Sequence, residues 1–445
     1  MDSSIIALII SMITIVLFIS NKLPMSVVAM FGSLAMGILI PEMQLSAVYS
    51  GFSSPGWPMV VGMLVVSDAL FETGIAERIG IKIGNSFLAK NERRFIITVA
   101  IIVTIMSAFM SNNGTVAIWM PIIAAVAAGS NGRIRSKMVI FVAGTAAVIG
   151  GGSTLIGSTS QLAANGILQG YEGFEAGMGI FDMSRIMIPA AIIQVIYWAT
   201  IGYSILKWAL KPESPDFDKN NVYATTAATS EDLSEDRFSD VPKWKGNVAL
   251  FTMILSIVLF ILSGFAPFNK YLNIGIIGML GATIILGTGT VPVKDTFSRL
   301  PWDVLITIGA ISGLGTGLDA SGGGELIANA VLTFFGGANA TIPVLTVIIA
   351  VLTSVLTNFM QNNATAAMIA PITISIAMSL DISPLPWVIL VAACSNLAIA
   401  TSYGTAVNMQ ILPAGYKFMD FVKIGGPLLI LMIITVTVTS SLFLF

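Results

Sequence analysis

Hydrophobic residues fill this chain in long runs, and short polar stretches punctuate them. Ile5–Ser20 and Met25–Ile40 are apolar runs separated by the turn Asn21-Lys22-Leu23-Pro24. A Gly/Ser/Pro loop follows from Tyr49 to Gly56, and Trp57 opens a third run to about Phe71. Each of these runs reads as a membrane-spanning helix. Glu72–Lys90 is charged and amphipathic, which predicts an arm lying at the membrane interface. Phe95–Gly129 is apolar again, with a polar cluster in its middle. Each side of that cluster is about 16 residues, roughly 24 Å as helix, short of the ~30 Å hydrocarbon core. The pattern predicts a re-entrant hairpin over 95–129. Lys137–Gly170 is interrupted by Gly150-Gly151-Gly152-Ser153-Thr154 and by Gly157-Ser158-Thr159-Ser160-Gln161, a content through which helix does not persist easily, so 137–170 reads as a broken helix. Ile186–Leu206 reads as an ordinary span.

The same order returns after a polar, mixed-charge linker at 211–245. Val248–Gly264 and Ile274–Gly287 are spans, Trp302 opens the next, and Gly313–Ala330 is expected as the interfacial counterpart of the first arm. A second hairpin falls at 342–378 and a second broken helix at 387–412, interrupted at Ala400-Thr401-Ser402-Tyr403-Gly404-Thr405. Ile424–Leu444 closes the chain. The expected fold is an all-α polytopic membrane protein of two repeats, 1–210 and 246–445. Each repeat has five spans and one hairpin. Five is odd, so the repeats are inverted, with their helix breaks at mid-membrane.

Charge tests this arrangement. With both termini outside and the linker cytoplasmic, 19 of the 21 Lys and Arg fall inside, and only Arg185 and Lys270 lie outside. That is the positive-inside bias of a multi-pass plasma (inner) membrane protein, partnered by a lipid bilayer and by no nucleic acid. Composition agrees: 56% of the 445 residues are hydrophobic and 10% charged, against about 25% charged in soluble domains. There is no histidine, which removes Ser-His and Cys-His nucleophiles, HExxH zinc sites and His proton relays. The single cysteine, Cys394, forms no intrachain disulfide or thiolate cluster.

The polar clusters at the centres of the hairpins are one motif written twice. Ser111-Asn112-Asn113-Gly114-Thr115-Val116-Ala117-Ile118-Trp119-Met120-Pro121 and Gln361-Asn362-Asn363-Ala364-Thr365-Ala366-Ala367-Met368-Ile369-Ala370-Pro371 match at five of eleven positions, 250 residues apart. Amide side chains in lipid are costly unless something binds them. Helix N-termini at Gly114 and Ala364 would bring unpaired N–H groups and about half a positive charge each to one place, an anion site without Lys or Arg. The breaks align as Gly, hydroxyl, two residues, amide (Gly157 to Gln161, Gly404 to Asn408), and unwound carbonyls there suit sodium. Ser107 and Thr357 place a further hydroxyl one turn before each tip. Interhelical hydrogen bonding explains any one such residue; a doubled motif beside a doubled break points to a site. Asp68, Glu72, Asp303, Asp319 and Glu325 sit near span ends, where interfacial roles are expected and proton coupling is the rival.

At these residues the sequence resembles the divalent-anion:sodium symporter family of the ion-transporter superfamily, over nearly its whole length. The resemblance implies a homodimer that carries a small anionic substrate with co-transported Na+ by an elevator movement. It implies one sodium site at Ser107, Ser111, Asn112 and Gly157, a second at Thr357, Asn362 and Gly404, and substrate between Asn112, Asn113, Ser158 and Asn362, Asn363, Thr405. The chain departs from the family pattern at Asn113, Asn363, Gln361, Thr159 and Ala406, so a C4-dicarboxylate and a sulfate-like oxyanion both stand as substrates. No enzymatic role is expected. The alternatives are a sodium-independent dicarboxylate exchanger, a proton-coupled carrier, and an ion channel or sodium/proton antiporter, the channel suggested weakly by Thr401-Ser402-Tyr403-Gly404. Gly315-Thr316-Gly317-Leu318-Asp319 is one residue out of register for a GxGD aspartyl protease.

Overall fold

The computed structural model of the chain describes residues 2–20, 22–75, 78, 82, 86–130, 132–210, 240–263, 268–324, 326, 341–402 and 404–444. Among these residues it is helical, with turns and short 3-10 segments and no strand. The α-helices, in chain order, are α1 Ser3–Ser20, α2 Met25–Leu39, α3 Gly56–Glu72, α4 Glu92–Ser107, α5 Asn112–Gly129, α6 Ser136–Gly151, α7 Thr159–Leu168, α8 Ser184–Ala199, α9 Ile201–Ala209, α10 Lys243–Ser263, α11 Ile274–Gly287, α12 Val293–Arg299, α13 Trp302–Ala320, α14 Ile342–Leu356, α15 Asn362–Ser379, α16 Leu385–Cys394, α17 Ala406–Ile411 and α18 Phe418–Phe443. The linker at 211–239 and most of the first arm (76–77, 79–81 and 83–85) lie outside the described residues.

Outward faces carry rows of exposed apolar side chains at helical spacing: Ile5, Ile9 and Ile13 on α1; Phe251, Ile254, Val258 and Ile261 on α10; Ile430, Ile434 and Val438 on α18. Such rows are stable against hydrocarbon and not against water. The helices form two packed groups. The first joins α1, α2, α3, α10, α11 and α13 with the 3-10 stretch Leu45–Ser53. Its helices approach closely: a Cβ built at Gly62 on α3 would strike the backbone of Gly278 on α11. The second group holds α4–α9 and α14–α18, and there the halves of the chain interlock. α15 packs on α7, and α17 packs on α5 and α6. The groups meet where α13 and α3 touch α7 and where α1 and α13 touch α15. The Thr316 hydroxyl donates to Gly170 O (2.7 Å) across this seam.

The hairpin helices start where the sequence places its caps. Asn91 Oδ1 accepts from the Arg93 and Arg94 N–H groups (3.0 and 3.3 Å) to open α4. Glu92, at the first position of α4, takes both Arg135 guanidinium nitrogens at 3.0 Å and the Tyr203 hydroxyl at 2.9 Å, fastening the hairpin base.

Two expectations change. Ile186–Leu206 is not one straight span: α8 and α9 meet at a 58° bend. The Thr200 hydroxyl turns back to Ile196 O (2.6 Å), and Arg93 Nε donates to the freed Ala199 carbonyl (2.7 Å). Gly313–Ala320 is not an interfacial arm but the continuation of α13, buried along its length up to Leu318, except for half-buried Thr316. Its glycines let α2 in close, with Ser33 against Gly313 and Met36 against Gly317. Residues 325 and 327–330 of that expected arm lie outside the described residues.

Candidate functional site: two tips on one cavity

Both hairpins reverse at their motif. α4 ends at Ser107 and α5 begins at Asn112; α14 ends at Leu356 and α15 begins at Asn362. The two new helix starts face one cavity of about 200 Å³, lined by Ser111, Asn112, Asn113, Gly157, Ser158 and Thr159 from the first half, and by Gln361, Asn362, Asn363, Thr405, Ala406 and Met409 from the second. All six residues expected around substrate therefore line one space. No Lys, Arg, Asp or Glu is among the lining residues. Its positive character comes from the N-termini of α5 and α15, with those of α7 and α17 beside them at Thr159 and Ala406. The halves touch across it, where the Thr159 hydroxyl donates to Asn363 Oδ1 at 2.6 Å.

Behind each tip sits a group of oxygens. In the first half the Ser107 hydroxyl lies 2.7 Å from the Asn112 amide oxygen and 2.8 Å from Ala147 O. The Asn112 amide atom that faces inward is also 3.1 Å from both Ala147 O and Gly157 O. In the second half Thr357 Oγ1 is 3.0 Å from the Asn362 amide and 2.6 Å from Ser395 O, and that amide faces Gly404 O at 3.0 Å and Ser395 O at 3.2 Å. Ser107 and Thr357 are fully buried. Turned nitrogen-inward, each amide would donate to its carbonyls. Turned oxygen-inward, each group places four oxygens face to face with one hydroxyl proton among them, an arrangement that a small hard cation relieves.

Of the residues expected at the first cation site, Ser107, Asn112 and Gly157 join this group. Ser111 instead caps α5, its hydroxyl accepting from Gly114 N–H at 3.2 Å, and lines the cavity. All three residues expected at the second, Thr357, Asn362 and Gly404, join theirs. Sequence reasoning missed Ala147 and Ser395, which contribute main-chain oxygens and carry no side-chain signal.

The breaks are held by amides. Gln161 Nε2 donates to Gly151 O (2.7 Å) and Thr154 O, ten and seven residues back. Asn408 Nδ2 does the same to Ala398 O and Thr401 O, both at 2.7 Å and again ten and seven residues back. Asn396 Nδ2 reaches Gln161 Oε1 at 2.6 Å, tying one break to the other.

Three of the acidic residues near span ends, Asp68, Glu72 and Asp303, are engaged away from the cavity. Arg299 pairs with Asp68 (2.7 Å) and Glu72 (3.6 Å), and Asp303 accepts from Ser26 N–H at 3.1 Å. Asp319 lies in the last turn of α13, and Glu325 is outside the described residues.

This geometry is that of a polytopic helical protein in which two hairpin tips and two broken helices line one cavity. The chain belongs to the citrate transporter family (CitMHS), whose pattern it matches over residues 15–392 and 257–445. It is similar to the "Sodium-dependent dicarboxylate transporter SdcS" of Staphylococcus saprophyticus, 24% identical over 80% of this chain and 70% of that one. It is also similar to "Sodium/sulfate cotransporter 1" of Chlamydomonas reinhardtii, 26% identical over 36% of this chain and 18% of that one. Against several curated relatives the chain spans only 18%, 26% or 31% of their length. Among solved structures it resembles the Alcanivorax borkumensis YdaH transporter, with a TM-score of 0.61, 16% identity, and coverage of 90% of this chain and 87% of that one, which establishes likeness of fold. The family and these relatives are transporters, not enzymes.

Proposed function

We propose that this protein is a secondary active transporter that takes up a small divalent anion, a C4-dicarboxylate or a sulfate-like oxyanion, together with sodium. The observation that carries this reading is the pair of oxygen groups flanking one cavity on which two helix N-termini converge. The anion rests against backbone N–H groups, the Asn112, Asn113, Asn362 and Asn363 amides and the Ser158 and Thr405 hydroxyls. Each sodium sits among the hydroxyl, amide and main-chain oxygens behind a tip. Sodium turns each amide oxygen inward, which fixes the tip and with it the donors that meet the anion. Coupling then follows from geometry, because each cation and the anion share Asn112 or Asn362.

The names of relatives that mention sodium with dicarboxylate or sulfate support the ion and the substrate class. On this reading the two halves are inverted repeats, both termini lie outside, and the group α4–α9 with α14–α18 travels as one elevator body against α1–α3, α10, α11 and α13 in each subunit of a homodimer.

Uptake of labelled succinate, citrate and sulfate into proteoliposomes, with an inward sodium gradient or with potassium in its place, tests the proposal. Sodium-dependent accumulation of one of these supports it. Accumulation indifferent to sodium would leave an exchanger or proton-coupled carrier, and single-channel currents would replace it with a channel.

A further inference from the structure

The two breaks differ in one place. In the first half, Ser153 N–H donates directly to Gly150 O at 2.9 Å, the second residue beyond the end of α6 closing back on the helix. The corresponding groups of the second half, 247 residues on, are Ala400 N–H and Leu397 O. They do not meet. The Asn358 side chain stands between them, its Oδ1 accepting from Ala400 N–H at 2.8 Å and its Nδ2 donating to Leu397 O at 3.0 Å. Nδ2 also donates to Ser354 O (2.7 Å) on α14, and Asn358 O accepts from the Thr401 hydroxyl. Asn358 is 3% exposed, and every polar atom of its amide is engaged. The first half has Ala108 at this place and only the last of these contacts, from Thr154 to Ala108 O. The helices end accordingly: α6 runs to Gly151, while α16 stops at Cys394 and leaves the described residues 395–402, 404 and 405 outside any helix, a stretch that includes Ser395 and Gly404, whose carbonyls face the second oxygen group.

We infer that Asn358 is a positioning residue, an amide inserted in place of a backbone hydrogen bond that holds the second break open and sets the geometry of the second cation site. The inference rests on the proposed sodium role of that site. Leu397 O also accepts from Ile399 N–H at 2.9 Å, whereas Ala400 N–H rests on Asn358 Oδ1; without the amide it loses that acceptor and the 397–400 turn is no longer held. The turn then loosens, and the Ser395 and Gly404 carbonyls leave the Thr357–Asn362 group. Asn358 does not line the substrate cavity, so its effect falls on the cation and not directly on the anion. The first site, without such a strut, is set by glycine-rich backbone and the Gln161 amide.

The test compares Asn358→Ala with wild type in proteoliposomes, titrating sodium at saturating anion and anion at saturating sodium, with hydrogen exchange of 397–405 on the same preparations. The expected result is at least a fivefold rise in half-saturating sodium, a Hill coefficient that falls towards one, a half-saturating anion concentration within twofold of wild type, and faster exchange at Ala400 and Thr401. An unchanged sodium titration with unchanged exchange overturns the inference, as does a loss confined to the anion titration. If wild-type uptake ignores sodium, the proposed coupling fails, and exchange decides the positioning role by itself: faster exchange with slower uptake upholds it, and unchanged exchange removes it. Where Asn358→Ala is not recovered folded, Asn358→Ser, which retains an oxygen for Ala400 N–H, is read by the same criteria.

Discussion

The two halves of the site present the same atoms by different means. Each offers a hydroxyl, an amide oxygen and two main-chain carbonyls behind a hairpin tip. The first reaches that arrangement with Gly152 and Gly157 in a break of seven residues, 152–158, directly after Gly150 and Gly151, and with the Gln161 amide. The second has no glycine in its break before Gly404, leaves ten described residues unwound, and holds them with both Asn358 and Asn408. Glycine gives the backbone freedom to turn and costs order. Amide struts restrict the backbone and need buried partners for every polar atom. The comparison teaches that symmetry here belongs to the ligand geometry and not to the local chain.

The strongest test removes what the halves share. Asn112→Ala and Asn362→Ala each delete an amide proposed to serve cation and anion together. Each is expected to lower initial uptake about 100-fold or more, equivalent to ~3 kcal/mol, while the protein remains monodisperse on size exclusion. Near wild-type uptake in either variant would take that residue out of the site. A sharper probe gives the first break a residue that the second already has. Ala398 in the second half corresponds to Gly151, yet a Cβ at Gly151 would run into the Asn112 amide. Gly151→Ala should cost about 1–3 kcal/mol of stability and abolish thermal stabilisation by sodium from the first site; a silent Gly151→Ala would mean that the breaks are interchangeable after all.

The amide bridges should show a smaller and graded difference. Gln161→Ala removes bonds to Gly151 O and Thr154 O and one of the two bonds of Asn396 Nδ2, while Asn408→Ala removes two bonds only. Both are expected to lower stability by about 1–3 kcal/mol, with the larger drop in melting temperature for Gln161→Ala. The reverse order would shift the weight to the second break. Least of all should pH matter. No lining residue titrates near neutrality, so sodium-driven sulfate uptake should be flat between about pH 6 and 8. A steep slope in that range would bring protons, and Asp319 with them, into the coupling.

Much of this was legible because the sequence breaks its own rule of hydrophobicity in two places and does so in the same letters. Asn112, Asn113, Asn362 and Asn363 stand out where apolar residues are expected, and they do line one cavity. Gly157 and Gly404 were readable as helix breaks for the same reason. The remaining oxygens of the two groups were hidden because Ala147 and Ser395 contribute carbonyls that every residue carries. Asn358 was visible as a polar residue in an apolar run, but its partners are set by where α16 ends, which no local pattern marks. The bend at Thr200 went unread because Arg93, distant in sequence, satisfies the carbonyl it frees. The helical continuation through Gly313–Ala320 reflects packing against Ser33 and Met36, a tertiary effect that overrides the low helix propensity of glycine.

A cavity lined by amides, hydroxyls and dipoles carries no permanent ionic charge of its own. Moving a bare ammonium or guanidinium into low dielectric costs several kcal/mol even after relaxation, and a carrier with a lysine in its hold would meet that penalty on every unladen return. In the proposed cycle the emptied compartment is electrically neutral, so the homeward stroke is expected to proceed without a counterion, and turnover to be limited by the laden stroke and by release.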